Sequence, residues 1–432
     1  MFPVVKGLKM GGMTSFLLVI LALLCGPVVA AEFSVAALPG ALVQVLARAQ
    51  DGDRVVLQPG LHEGSIILSR AVELTGPATA VIRGEGTGNV ITVDAPGVYI
   101  HGIEVTGSGL TLATQDSGIF VTPNGDNARI EDNRIDNNLI GIYLSGPDNA
   151  IVQNNDVVGR QDLRVNERGN GIQLWNTPGS QVIGNRVSQG RDGIFVTTSR
   201  ENLFADNVFR DVRFAIHYMY TNHSEIRGNR SYDNTVGYAL MYSDHLQVIG
   251  NLSDGDQDHG IMLNYANASN FRGNVVQHGG TKCVFIYNSN KNDFRDNMFE
   301  GCGIGVHFTA GSERNIIVDN AFIGNRTQVK YVGTRWLEWS QNGRGNYWSD
   351  NAAFDLDGDG IADRPYRPND MLDQVVWAHP SAKLLINAPA FQILKWAQSR
   401  FPALHPGGVV DSAPLMVPPP ISIIQGETNH AG

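Results

Sequence analysis

Asparagine returns along this chain at an almost fixed interval: Asn133, Asn155, Asn185, Asn207, Asn229, Asn251, Asn274, Asn297 and Asn320, with gaps of 22, 30, 22, 22, 22, 23, 23 and 23 residues. A beat of that length marks one supersecondary unit repeated and stacked. Each period reads approximately (A/Q/E)-(I/V/F)-x-x-Asn-x-(I/V/F) and closes on G-I-x-L or a near variant, as in Gly141-Ile142-Tyr143-Leu144 and Gly260-Ile261-Met262-Leu263. Apolar and polar residues alternate in short runs, which is the period of a strand. Gly, Asn and Asp separate the runs; these residues favour turns and tolerate positive φ. Three short strands per turn use about 22 residues. The spacing therefore predicts an all-β chain, a right-handed parallel β-helix. Amides stacked about 4.8 Å apart can donate and accept along a column, so the recurring Asn is expected to be structural. The one long gap carries eight extra residues, within Gly159–Gly169. A charged insertion in a solenoid projects as a loop from one face.

The ends read differently. Residues 1–31 have Lys6 and Lys9 before an apolar run from Phe16 to Leu24, then small residues at Val28-Val29-Ala30-Ala31. That run is too short to span a bilayer and predicts a cleaved secretory leader, hence a periplasmic chain. Cys25 follows bulky Leu24, which argues against lipid attachment there. Residues 32–333 are expected to form the β-helix. Its N-terminal cap would be helical over 34–50, where Ala37, Leu38, Leu42, Val45 and Leu46 share a face. Residues 334–378 break the rhythm and hold an acidic loop, 379–404 read as helical, and the proline-rich 405–432 as an extended tail. Within Ala390–Phe401, Ala390, Ile393, Leu394, Ala397 and Phe401 form a helical stripe, with Phe391 and Trp396 off it. The off-stripe residues suit either a partner surface or packing on the solenoid. The formal charge of −10 argues against nucleic acid and anionic membrane as partners. Cys283 and Cys302 fall in neighbouring coils but about four positions out of step, an offset that does not favour a disulfide.

Two constellations point to chemistry. Asp355, Asp357, Asp359 and Asp363, with Gly360, have the alternate spacing of a calcium loop, although Tyr366 stands where an EF-hand needs glutamate. Aligning the coils on G-I-x-L gives the second. The x column reads Tyr143, Gln173, Phe195, His217, Ala239, Met262, Phe285, His307; two residues on come Trp175, Met219 and Met241, and then Tyr220, Tyr242 and Tyr265. Positions alternating with core residues point outward. The columns thus predict an exposed strip of Met, His and aromatic residues. His217, Met219, Met241, Met262 and His307 are candidate Cu(I) ligands, because thioether and imidazole are soft. Trp175, Phe195, Tyr220 and Tyr242 equally suit a docking face, for which Met is adaptable. A third reading is a β-helix enzyme acting on polyuronates, a lyase or epimerase, with Asp254, Asp256, Asp258 and His259 and perhaps Arg213 or Lys282. The strip itself lacks the cations that would neutralise such a substrate.

The coils, together with Gly345-Asn346-Tyr347-Trp348-Ser349-Asp350, the run Asp355–Tyr366 and Leu404-His405-Pro406-Gly407-Gly408-Val409-Val410-Asp411-Ser412, resemble the NosD family across essentially the whole chain beyond the leader. The resemblance implies a non-enzymatic periplasmic β-helix. It would sit on an inner-membrane ABC permease dimer with a cytoplasmic ATPase, and help deliver copper from a lipoprotein chaperone to nitrous oxide reductase. The helix Ala390–Phe401, with Phe391 and Trp396, would then meet the permease.

Overall fold

The computed structural model describes residues 30–333, 335–369, 371–385, 388–401 and 407–420. The leader lies outside these residues except for its last two, as does the tail beyond residue 420. The described chain winds into the parallel β-helix that the beat predicts. Every coil crosses three parallel sheets in turn. The first runs from Glu32–Val35 to Ile316–Ile317, the second from Gly60–Glu63 to Tyr347–Trp348, and the third from Ile66–Leu68 to Val329–Val332. Register is kept residue by residue, so that Ile194, Ile216, Tyr238 and Ile261 stack as one inward column. The core is filled by such columns, with ring stacking where they are aromatic: Phe271 and Phe294 lie 4.3 Å apart, centre to centre.

The corner between the first and second sheets explains the asparagine beat. Its first residue is left-handed, as at Asp206 (φ 56°), Gly228 (φ 63°) and Gly250 (φ 62°), where Gly, Asp and Asn carry the least steric cost. The next residue is the Asn, turned inward and fully buried. Asn229 is typical: its Nδ2 donates to Asn251 Oδ1 (3.0 Å) and Phe204 O (2.9 Å), while its Oδ1 accepts from Asn207 N (3.1 Å). The same linkage runs from Asn133 to Asn320 and continues one step further than the beat indicates, to Asn346. There it ends on Asp411, whose Oδ2 accepts from Asn346 N at 2.7 Å.

The third sheet carries Cys283, and here the sequence expectation is corrected: Cys283 and Cys302 form a disulfide with Cα atoms 5.6 Å apart. Cys283 occupies a column that is Gly237, Gly260 and Gly305 in nearby coils, facing the corner between the second and third sheets. Cys302 lies in that corner, one coil on. The offset counted along the contour is taken up by the bend.

The cap at the start is part strand: Glu32–Val35 pairs with Arg54–Leu57, and only Ala41–Leu46 (α1) is helical, burying Leu42 and Val45 but leaving Leu38 exposed. After the last coil come α2 (Met371–Ala378), a 3-10 turn (Pro380–Leu385) and α3 (Pro389–Arg400). The stretch read as an extended tail returns to the solenoid, with Gly408–Val410 pairing in parallel with Trp336–Glu338.

Candidate metal and docking face

The outer face of the third sheet bears the expected strip. Its strands are the longest, nine residues each in Asp192–Arg200 and Phe214–Asn222. Phe195, His217, Ala239, Met262, Phe285, His307 and Lys330 are consecutive register partners, and so are Trp175, Thr197, Met219, Met241, Asn264 and Tyr287. Beyond the second column Tyr220, Tyr242 and Tyr265 stand in the left-handed region, at φ 51°, 49° and 54°. Their rings stack at 5.0 and 5.2 Å. The same column holds Asn176 and Asn288, residues suited to that backbone. Three consecutive tyrosines in it are a strained arrangement on the exposed side of the strip. Trp175 is exposed as expected and Phe195 half-buried.

The structure separates the candidate copper ligands. Met219 and Met241 are register partners, so their backbones are one strand spacing apart, about 4.8 Å. His217 is two residues before Met219 on the same face. Met262 is two rungs from His217, about 10 Å along the stack. His307 is four rungs away, about 19 Å, and cannot share an ion with His217.

The strip is also less open than the alternation predicts: Tyr143, Gln173, His217 and Ala239 are buried. Side chains one rung apart shield each other, as Phe120 does Tyr143 at 5.3 Å between ring centres. His217 lies between Phe195 and Phe214, 5.0 and 4.9 Å from their ring centres. Its Nδ1 is 3.0 Å from Asp192 Oδ2. The Arg213 guanidinium donates to both oxygens of that carboxylate, at 2.8 and 2.7 Å. Burial alone would raise the Asp192 carboxyl; the hydrogen bonds from His217 and Arg213 outweigh it and hold it below the usual carboxylate range.

Further along, His259, Lys282, Phe285, His307 and Lys330 gather on the same face. Phe285 lies between His259 (5.4 Å) and His307 (5.1 Å), with Lys282 Nζ 4.3 Å over its ring. Burial, then the charges of Lys330 and Lys282, push His307 down to about 4. Burial likewise lowers His259 and Lys282. Both imidazoles are therefore neutral near pH 7.

Four buried atoms on this face have no hydrogen-bond partner among the described residues: His217 Nε2, His259 Nδ1, Asn264 Oδ1 and His307 Nδ1. A buried polar atom left unpaired costs about 1–3 kcal/mol, and four on one face call for an explanation. An imidazole with an unpartnered nitrogen on the same face as two thioethers fits a soft monovalent metal. His217, Met219 and Met241 form such a set.

The acidic loop holds together in part. Carboxylate oxygens of Asp355, Asp357 and Asp359 lie within 4.8 Å of one another. Asp363 turns away to accept from Leu356 N at 3.0 Å. Asp355 is committed to Gly358 N and Gly360 N, which hold its carboxyl low, whereas Asp357 is raised by its acidic neighbours.

Of the residues considered for polyuronate chemistry, His259 and Lys282 meet as register partners on the outer face, whereas Asp254, Asp256 and Arg213 do not join them. Asp256 is buried and takes hydrogen bonds from Ser231 and Ser253; burial pushes it up to about 6. Asp254, on the second sheet, pairs with His278, and Arg213 is taken by Asp192. The helix α3 also departs from expectation. Phe391 is 8% exposed and packs inward, while Ile393 is 64% exposed, with Leu394, Trp396 and Phe401 also outward. The helix buries Phe391 and leaves the longer apolar stripe largely exposed. Asp192 and Phe214 escaped the sequence reading because alignment began at the glycine of G-I-x-L; the column just before it carries them.

A family model described as "NosD: Periplasmic copper-binding protein (NosD)" matches residues 153–353. A "Probable ABC transporter binding protein NosD" of Stutzerimonas stutzeri is 39% identical over 381 residues, 85% of this chain and 87% of that one. A protein of the same description from Pseudomonas aeruginosa is 38% identical over 380 residues, 85% of this chain and 89% of its own. Among solved structures, the Dettilon tailspike protein gp208 shares the fold, with a TM-score of 0.50 at 14% identity, covering 68% of this chain and 64% of that one. No described helix is long and apolar enough to cross a membrane. Conserved identity of this extent, on top of the coils and the closing motif around Asn346 and Asp411, makes the chain a member of the NosD family of periplasmic copper-binding proteins.

Proposed function

We propose that this chain is the periplasmic, non-enzymatic component of an ABC transporter complex that helps assemble the copper centre of nitrous oxide reductase. It acts as a docking scaffold and a transient Cu(I) carrier. The observation that carries the reading is the outer face of the third sheet, where unpaired imidazole nitrogens and two neighbouring thioethers adjoin a row of exposed aromatic rings. Copper is cargo here. A donor must release its metal, and two or three soft ligands on a face suit release better than a closed thiolate cage. The cysteines agree, since the pair beyond the leader is oxidised to a disulfide. Trp175, Tyr220 and Tyr242 would meet the lipoprotein chaperone or the reductase, and the exposed apolar side of α3 the permease dimer, whose cytoplasmic ATPase drives the cycle. Calcium at Asp355, Asp357 and Asp359 would brace the loop and take no part in transfer.

Anaerobic Cu(I) titration of the chain against a competing chelator tests the proposal. Wild type is expected to take up Cu(I), and the Met219→Leu, Met241→Leu double variant to bind it at least tenfold more weakly. No uptake by wild type removes the carrier role and leaves docking. Incubation with polymannuronate is expected to release no unsaturated ends and to epimerise no sugar; turnover would overturn the non-enzymatic reading.

A further inference from the structure

We infer that Asp192, clamped by Arg213, is the positioning residue of the copper site: it fixes His217 with the proton on Nδ1 and so presents Nε2 as a bare ligand beside Met219 and Met241. The inference rests on the copper reading above and adds to it residues outside the Met/His strip.

The geometry supports each step. The Asp192 side chain is wholly buried, and the Arg213 fork grips both of its oxygens. A carboxylate held this way only accepts, and its Oδ2 is 3.0 Å from His217 Nδ1. Nδ1 is therefore the donor, which leaves Nε2 as the ring nitrogen open to a ligand. Phe195 and Phe214 flank the ring and bar it from turning over. A purely architectural Asp–His–Arg network would satisfy both ring nitrogens. Here Nε2 is buried yet has no partner among the described residues. Metal-bound imidazoles commonly hand their other N–H to a carboxylate, which orients the ring and makes the ligating nitrogen more basic. The side chains of the remaining soft donors, Met219 and Met241, project from the same outer face.

Asp192→Asn keeps the shape of the side chain. Its amide can donate to Nδ1 and drive the ring proton onto Nε2, where it blocks ligation. Chelator competition should show Cu(I) bound roughly 10- to 100-fold more weakly, and X-ray absorption of the copper-loaded chain should lose its nitrogen neighbour and keep sulfur. His217→Gln should do the same. The double variant should be no weaker than His217→Gln alone, because Asp192 acts only through the ring. Thermal unfolding of the apo proteins separates this from a loss of fold. Should Asp192→Asn not fold, Arg213→Gln, at a partly exposed side chain, reports on the same clamp with a smaller loss. Wild-type affinity with nitrogen retained in Asp192→Asn would overturn the inference while leaving the copper reading intact. So would an equal loss on adding Asp192→Asn to His217→Gln. Absence of Cu(I) binding by wild type would instead sink the copper reading, and this inference with it.

Discussion

Asn229 is buried and bonds in both directions along the ladder, so its removal strands several groups at once. Asn229→Ala would leave Asn207 N–H, one Asn207 Nδ2 hydrogen and Phe204 O without these partners, while Asn251 Oδ1 keeps the Asn229 N–H. At about 1–3 kcal/mol for each unpaired group, we expect a loss of at least about 3 kcal/mol in urea unfolding. A change below 1 kcal/mol would mean that water replaces the amide. Tyr242 should behave in the opposite way. Its left-handed backbone costs about 1–3 kcal/mol, a cost comparable to what its two ring stacks return at about 0.5–1.5 kcal/mol each. Tyr242→Asn is therefore expected to leave the melting temperature unchanged or raised, and to weaken partner binding in a pull-down with the copper chaperone. A variant that melts lower and docks normally would make the tyrosine row architectural. The ladder was legible in the sequence because a fixed beat needs no knowledge of contacts. The strain at Tyr242 was not, because φ follows from where the corner falls. Nor was the role of Asp192, since its contact with His217 spans 25 residues and depends on register.

At the level of elements, the third sheet bears the strip, and its register spreads the candidate ligands along the stack. The G-I-x-L alignment assigned His307 and His217 to one column, which they share, but a column several rungs long cannot close on one ion. The bend that joins Cys283 to Cys302 was hidden for a related reason: contour position does not give distance across a corner. Helix α3 shows the limit of periodicity. Its sequence offers apolar residues on more than one side, and the fold buries Phe391 while leaving Ile393 and Leu394 outward. Those two residues supply the prediction at this scale. An Ile393→Ser, Leu394→Ser double variant removes apolar area without touching the buried anchor. Co-purification with the transporter should fall several-fold, while Cu(I) affinity and melting temperature stay as in wild type. Undiminished co-purification would move the permease contact to another surface.

The whole molecule is a stack of parallel strands, and each end of such a stack is an edge that could pair with another chain. At the start, Glu32–Val35 and α1 cover the first rung. At the finish, the returning segment brings Asp411 beneath the last ladder amide and against Trp348, whose Nε1 donates to it at 2.7 Å. Gly345 is required beside it, because a Cβ there would overlap the carboxylate. Burial pushes Asp411 up to about 6, against the hydrogen bonds from Asn346, Trp348 and Ala413. An unfolded Asp titrates near 3.9. Between those values the folded chain keeps a proton that the unfolded chain has lost, so stability falls as pH rises through the window. The contribution of the protonated cap is complete below about 4 and is lost above about 6. Passing from pH 5 to pH 7 should cost about 1 kcal/mol through this group alone. Asp411→Asn cannot titrate, so its stability should drop by correspondingly less over the same interval in urea unfolding. Equal drops in both proteins would assign the dependence to another buried acid, of which Asp256, also raised to about 6, is the foremost. If Asp411 is the source, the closing segment of the solenoid is most firmly seated under mildly acidic conditions, and hydrogen exchange at Asn346 and Trp348 should slow from pH 7 to pH 5 by more than the intrinsic rate change.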